Sequence, residues 1–290
     1  MTPAVESWQR EGRSLTWQGS RVFYKTVGHG PPLLLLHGYP VGSYDWHAVW
    51  PMLAERSTLI APDMLGHGFS GKPLDGDYTI SSHAKMHAAL LRHLGISNCH
   101  AVAFDLGVSV AQEMLAQRDE GRDMVELTSL VLLNGGVCPD AYHPRWIQKL
   151  MLTGVGPWLG PRIPKQMFQR TIASLYEGSQ APPSQQLLDD FWCLFGAGDG
   201  RKVAHRVGAF WHERKAQSSR LLEGLLNSHI PLLMVNGGAD PNSGAHMVRA
   251  FLDLAPSVPV VSLPSAGHWP QIQSPRLVAE AIIRFLEPPA

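Results

Sequence analysis

The sequence predicts an α/β fold: a mostly parallel, eight-stranded sheet with helices on both faces and a helical insertion after the sixth strand. Three observations predict it. Short continuous apolar runs recur along the chain, each the length of a strand buried on both faces. Helix-length stretches separate them, and this alternation builds parallel strand–helix–strand units. One long interval, residues 137–220, contains no such run.

The elements follow in order. Residues 14–19 and 21–27 read as an opening hairpin, and 33–36, 58–61, 100–104, 130–133, 231–235 and 259–263 as buried strands. Helices are expected near residues 44–55, 80–94, 107–117, 243–254 and 275–286. The interval 137–220, helical in pattern and rich in Pro and Gly, reads as a cap domain, leaving 1–136 and 221–290 as the core domain. The cap holds eleven Lys/Arg against six Asp/Glu, so it carries +5 and the rest of the chain −5. An ordinary solvated surface explains that excess better than an anion-attracting lobe.

Composition narrows the function. The chain has 290 residues, with 24 Lys+Arg against 24 Asp+Glu, so it lacks the basic excess that nucleic-acid binding requires. At 44% hydrophobic and 17% charged residues, it can bury a core and is not of disordered composition. Cys99, Cys138 and Cys193 share no metal-ligand spacing and read as reduced thiols of a cytoplasmic protein. The first thirty residues lack the apolar core of a secretory signal, and the run at 31–36 is too short to span a bilayer.

In open parallel sheets, ligands bind beyond the carboxyl ends of the strands. The sequence there is rich in polar groups. His37-Gly38-Tyr39-Pro40 follows the first buried run, and Asp63-Met64-Leu65-Gly66-His67-Gly68-Phe69-Ser70 the next. Ala103-Phe104-Asp105-Leu106-Gly107 ends the run at 100, Asp240 follows the run at 231, and Ala266-Gly267-His268-Trp269 the last. This combination resembles the α/β-hydrolase family from about residue 14 to residue 286. In that family the nucleophile sits in a small-x-nucleophile-x-small turn between strand and helix. Strained backbone at the nucleophile requires small neighbours two residues away, and Ala103 and Gly107 are small. Ala103 stands where Gly is more familiar.

The elbow residue is Asp105, not Ser, and this decides the expected chemistry. A carboxylate attacks an sp³ carbon and forms an alkyl ester that water then hydrolyses. A helix N-terminus favours the ionised carboxylate. The resemblance implies His268 as the base that activates this water and Asp240 as the acid that orients it. It also implies an oxyanion hole from the N–H groups of Tyr39 and Leu106. Some relatives place the acid one strand earlier, where this chain reads Asn134-Gly135-Gly136 and has no carboxylate.

Stretches at 42–46, 90–95 and 133–140 look like the mesoderm-specific-transcript branch, which belongs with epoxide hydrolases and haloalkane dehalogenases. Dehalogenases of this group use a Trp after the nucleophile and a second Trp or Asn to bind halide; Leu106 and Tyr39 stand at the corresponding positions. Fluoroacetate-type enzymes place Arg after the nucleophile, again unlike Leu106. Epoxide opening needs a cap proton donor, commonly Tyr. The candidates are Tyr176, Tyr142 and His212, with His205 and Trp211 behind them. No Tyr stands near residues 209–212, where a second is usual. The expectation is therefore a cofactor-independent epoxide hydrolase. The alternatives are a haloalkane or haloacid dehalogenase, and a non-catalytic protein binding a small apolar ligand.

His37, Phe104, Trp192, Trp211 and Trp269 are expected around the substrate pocket, with His37 and His67 structural rather than catalytic. His83 and His87 have helical metal-pair spacing, but no Cys or Glu completes a site, so no metal is expected and a solvated helix face is the reading. The expected partner is a small apolar substrate, not nucleic acid or membrane, and the chain is expected to be a monomer or homodimer.

Overall fold

The computed structural model describes residues 1–122 and 124–287. Eight strands form one sheet in the order β1-β2-β4-β3-β5-β6-β7-β8. β1 (Arg13–Trp17) and β2 (Ser20–Val27) make an antiparallel hairpin, and β2 joins β4 (Thr58–Pro62) antiparallel. From there on every pairing is parallel: β4 to β3 (Pro32–Leu36), β3 to β5 (Asn98–Phe104), then β6 (Glu126–Leu133), β7 (Leu232–Gly237) and β8 (Val260–Leu263). Each run read from the sequence is a strand of this sheet.

The period-two geometry of the strands sorts their side chains onto two faces. Leu33, Leu35, Val102, Val131 and Val235 pack on one face, with the helix Pro275–Leu286 and the N-terminal helix Pro3–Arg10. Leu34, Leu36, Ala101, Leu130 and Met234 pack on the other, with the helices Ile80–His93, Leu106–Asp119 and Ser218–Asn227. Both faces are covered, which is why these strands read as unbroken apolar runs.

Leu106–Asp119, the elbow helix, is buried at every position from Leu106 to Gln117. It lies between the sheet, the helix Ile80–His93 and the helix Ser218–Asn227. Between β6 and β7 the chain forms a run of short helices from Trp146 to Asn227. The last of them, Ser218–Asn227, packs along the elbow helix, and Arg220 reaches Glu113 there at 2.5 Å. Residue 220, where the sequence placed the end of the cap, therefore lies inside a helix that covers the sheet.

Some elements differ from expectation. Residues 44–55 form not one helix but a 3₁₀ turn, Ser43–Trp46, and a short helix, Trp50–Ala54, whose second residue is Pro51. Pro is compatible with a first helical turn but not with a helix interior, so the segment breaks. Residues 243–254 shrink to Ala245–Leu252, because Asn242 and Ser243 are held by Asp240. The helix Pro3–Arg10, capped by the Thr2 hydroxyl, has no counterpart among the expected helices. Among the described residues no helix is long and apolar enough to cross a membrane.

Gly107 fixes the approach of the elbow helix to β3. A methyl group there would sit 2.3 Å from the Leu36 carbonyl oxygen. Gly107→Ala should destabilise the protein by about 1–3 kcal/mol or more in chemical denaturation. Gly196→Ala, in a position open to space, should change stability by no more than ~1 kcal/mol.

Candidate active site

Parallel strands bring their carboxyl ends to one edge of the sheet. Asp105 follows β5, Asp240 follows β7 and His268 follows β8, so all three arrive there. Asp105 is the N-cap of the elbow helix and has φ 48°, a left-handed backbone that a non-glycine residue rarely adopts. Such a conformation costs of order 1–3 kcal/mol. It turns the carboxylate out over the helix N-terminus, where Leu106 N–H, in the first helical turn, has no intrahelical acceptor.

The Asp105 oxygens have different surroundings. Oδ2 accepts a 3.0 Å hydrogen bond from the Tyr39 N–H. Oδ1 lies 3.9 Å from His268 Nε2. His268 Nδ1 is 2.8 Å from Asp240 Oδ2. That oxygen also accepts from Ser243 Oγ at 2.6 Å and from Asn134 Nδ2 at 3.0 Å, while Asp240 Oδ1 accepts from the Asn242 N–H at 2.8 Å. Burial alone would raise the Asp240 carboxyl. The His268 charge and hydrogen bond, with those of Ser243 and Asn242, outweigh it and bring it down to about 2. Burial likewise opposes the His268 cation, but Asp240, then Asp105 and Asp45, pull the imidazole above its ordinary value.

Asn134, noted in the sequence only as a missing carboxylate, supports Asp240 in a different way. Its amide donates to Asp240 and to the Gly237 carbonyl, and its Oδ1 accepts from the Gly237 N–H at 2.7 Å. Its backbone carbonyl takes the Asp105 N–H at 2.9 Å. The position thus connects the Asp105 and Asp240 turns.

Asp45, within the stretch at 42–46, joins the site as well. It is 1% exposed. Its Oδ2 accepts from the Gly38 N–H at 3.0 Å and its Oδ1 from Trp269 Nε1 at 2.9 Å. One carboxyl therefore links the residue before Tyr39 to the residue after His268. Burial pushes it up to about 8, with Asp105 adding to the rise and these donors opposing it.

Asp105 and His268 open onto a cavity between the sheet edge and the short helices that lie between β6 and β7, with about 1020 Å³ of empty space including its open mouth. Tyr39, Tyr142 and Asn242 also face it. These helices and the turns between them supply a mostly apolar wall, including Ile163, Phe168, Ile172, Phe195, Phe210 and Trp211. Arg145 and Lys149 complete part of the lining.

Of the five expected pocket residues, only Trp211 lines this cavity. His37 is buried behind it, with Nε2 accepting the Met64 N–H at 2.8 Å, and burial pushes it down to about 4. Phe104 is fully buried below the elbow, against the rings of His268, Trp46 and Trp269. Trp269 is fully buried and committed to Asp45. Trp192 packs behind Phe168 and Phe195, because it lies off the inward face of the helix Gln185–Gly196.

The proton-donor candidates separate in the same way. Tyr142 faces the cavity, and its hydroxyl accepts from Asn242 Nδ2 at 3.0 Å. Tyr176 does not line it. Its ring stacks on Trp269 at 5.5 Å, and its buried hydroxyl has no hydrogen-bond partner among the described residues. His212 is exposed, because Phe210 and Arg214, four apart, take the inward face of their helix. His205 also stands away from the lining. His83 and His87 are buried rather than solvated, and burial pushes both down to about 3.

Comparison with known proteins supplies a family context for this geometry. Residues 31–275 match the family model described as the alpha/beta hydrolase fold. The mesoderm-specific transcript homolog protein of Homo sapiens is 33% identical over 99% of this chain and 89% of that protein. Among solved structures, the epoxide hydrolase CorEH superposes with a TM-score of 0.73 at 22% identity, covering 94% of this chain and 97% of that one. A haloalkane dehalogenase loop variant from Bradyrhizobium elkanii gives 0.70 at 22% identity, covering 94% and 95%.

The buried Asp45 sets a pH dependence. Its folded value of about 8 lies above the ordinary 3.8, so the folded state holds a proton that the unfolded chain has released. The associated stability is fully present below the ordinary value and is lost as pH rises towards about 8. Wild type should lose stability relative to Asp45→Asn over that window, as measured by urea unfolding at a series of pH values. A constant difference between the two proteins would contradict the assignment.

Proposed function

The chain belongs to the α/β-hydrolase family, and from that premise we propose that it hydrolyses an epoxide to a diol through an ester of Asp105. The observation that carries this reading is the unequal environment of the two Asp105 oxygens. Oδ2 is held by the Tyr39 N–H, while Oδ1 lies towards His268 at the floor of an apolar cavity.

The steps follow from these positions. Oδ1 attacks an sp³ carbon of the epoxide, the carbon–oxygen bond of the ring breaks, and the ring oxygen takes a proton. Tyr142 is the proposed donor, since its hydroxyl faces the cavity. His268 Nε2 then takes a proton from water, and the hydroxide adds to the Asp105 Cγ. Asp240 holds the imidazole by Nδ1 and offsets its positive charge. In the tetrahedral intermediate the negative oxygen is Oδ2, already beside the Tyr39 N–H, with Leu106 N–H as the second proposed donor. Each such donor is worth roughly 2.7–4 kcal/mol in related acyl chemistry. The Cγ–Oδ1 bond breaks, the alcohol leaves with a proton from His268, and the carboxyl proton that water brought to Asp105 passes to the Tyr142 phenolate, which restores both the carboxylate and the donor.

The proposed substrate is apolar, to match the cap wall, and small enough for the cavity. The proposed protein uses no cofactor in this chemistry. A carbon–halogen bond would be attacked by the same oxygen, so product analysis separates the two: diol from an epoxide, free halide from a haloalkane.

His268→Gln should form the ester but hydrolyse it at least ~10²-fold more slowly. Incubation with a panel of apolar epoxides and haloalkanes should then give a protein mass increase equal to the alkyl group. No adduct with any of them would remove the ester mechanism. In wild type, the hydrolysis step needs neutral His268, whose cation burial opposes and Asp240 favours, so its rate should fall as pH drops through the His268 titration. A single-turnover hydrolysis rate that does not fall at acid pH would contradict that role.

A further inference from the structure

Arg214 is a buried cation that the steps above do not use. It lies on the cap helix Phe210–Ala216 and is fully buried. Its guanidinium lies over the rings of Tyr142 and Phe210, 5.3 and 4.9 Å from their centroids. It ends beneath the elbow. Nε donates to Ser109 Oγ in the elbow helix at 2.6 Å, and Nη2 to the Asp105 backbone carbonyl at 3.3 Å. Nη1 has no hydrogen-bond partner among the described residues. Gly136 makes room for it: a methyl group there would lie 2.2 Å from Nη1.

A buried guanidinium is normally matched by a carboxylate. Arg214 forms no ion pair among the described residues. Burial works against the Arg214 cation, and the charges of Asp105 and then Tyr142 oppose that. Through its bond to the Asp105 carbonyl the cation is thus held at the residue whose carboxylate loses and regains its charge in the proposed reaction.

We propose that Arg214 is a positioning residue that drives ester hydrolysis by favouring the return of negative charge to Asp105. This rests on the ester reading above. Alkylation neutralises Asp105, and the Tyr142 phenolate is then the anion beside the guanidinium. Addition of water places a negative charge on Oδ2, and breakage of the Cγ–Oδ1 bond with loss of the carboxyl proton restores the carboxylate, so both events gain from the cation. In alkylation its effects oppose one another. It stabilises the attacking carboxylate, which slows attack, and the phenolate left by Tyr142, which favours ring opening. Removal of the charge should therefore slow hydrolysis more than alkylation. A purely structural role, fixing the elbow, would slow both steps together.

The test uses the full chain, an epoxide that alkylates His268→Gln, rapid quenching and intact-protein mass measurement. Arg214→Gln retains a donor for Ser109 or the Asp105 carbonyl but loses the charge. Its hydrolysis rate should fall about 10-fold or more relative to its alkylation rate, so that ester accumulates. Arg214→Lys keeps the charge but loses the fork, and should show little accumulation. Equal slowing of both steps in Arg214→Gln, or as much ester in Arg214→Lys as in Arg214→Gln, would overturn the inference. If Arg214→Gln does not fold, Arg214→Lys decides alone: hydrolysis near the wild-type rate supports the charge role, and accumulated ester contradicts it. If His268→Gln carries an adduct while Arg214→Gln does not accumulate one, the Arg214 role fails and the ester reading stands. If no variant carries an adduct, both fall.

Discussion

The hydrogen bond from the Tyr39 N–H to Asp105 Oδ2 is the contact on which the site depends. It makes two chemically identical oxygens different. One is committed to a backbone donor, and the other is left facing His268 and the cavity. The bond requires the Tyr39 turn and the elbow to approach closely. Gly38 permits this, since a methyl group there would lie 2.8 Å from the Asp105 Cβ. Asp45 then takes the Gly38 N–H and, through Trp269, reaches the chain beside His268. The strained backbone of Asp105 is surrounded on every side by such constraints, which is the condition under which strain persists in a native state.

Supports of the same kind hold the Asp240 turn. Asp240 is held by Ser243, Asn242 and Asn134 before His268 is counted, so its orientation does not depend on the imidazole it meets. Asn134 carries the constraint from that turn to the Asp105 N–H. The wall facing this edge is different in kind, being mostly apolar and supplied by the short helices between β6 and β7.

The sheet was legible because burial on both faces leaves a strong one-dimensional trace: Leu33–Leu36 and their counterparts are apolar without interruption. The residues at the carboxyl edge were legible because turn chemistry places small residues and polar groups at fixed offsets from a strand. The cap was less so. Whether Tyr142 or Tyr176 reaches the cavity depends on how short helices pack, and the sequence leaves both available. His212 and Trp192 illustrate the same limit, since a shift of one or two positions on a helix moves a side chain from cavity to solvent or to a second layer. Asp45 and Arg214 had no sequence signal of function. A buried charge looks the same in one dimension as an exposed one, and only packing shows that each is buried beside the elbow.

The proposed chemistry requires Asp105 to act as an attacking group that water later restores. Its most direct test is a single turnover of excess enzyme in ¹⁸O-water, followed by mass measurement of the peptide containing Asp105. The covalent mechanism puts the label in the Asp105 side chain, with the first-turnover diol carrying unlabelled oxygen from the enzyme. Label in the diol and none in the peptide would mean that water attacks the substrate directly, and the covalent mechanism would be wrong.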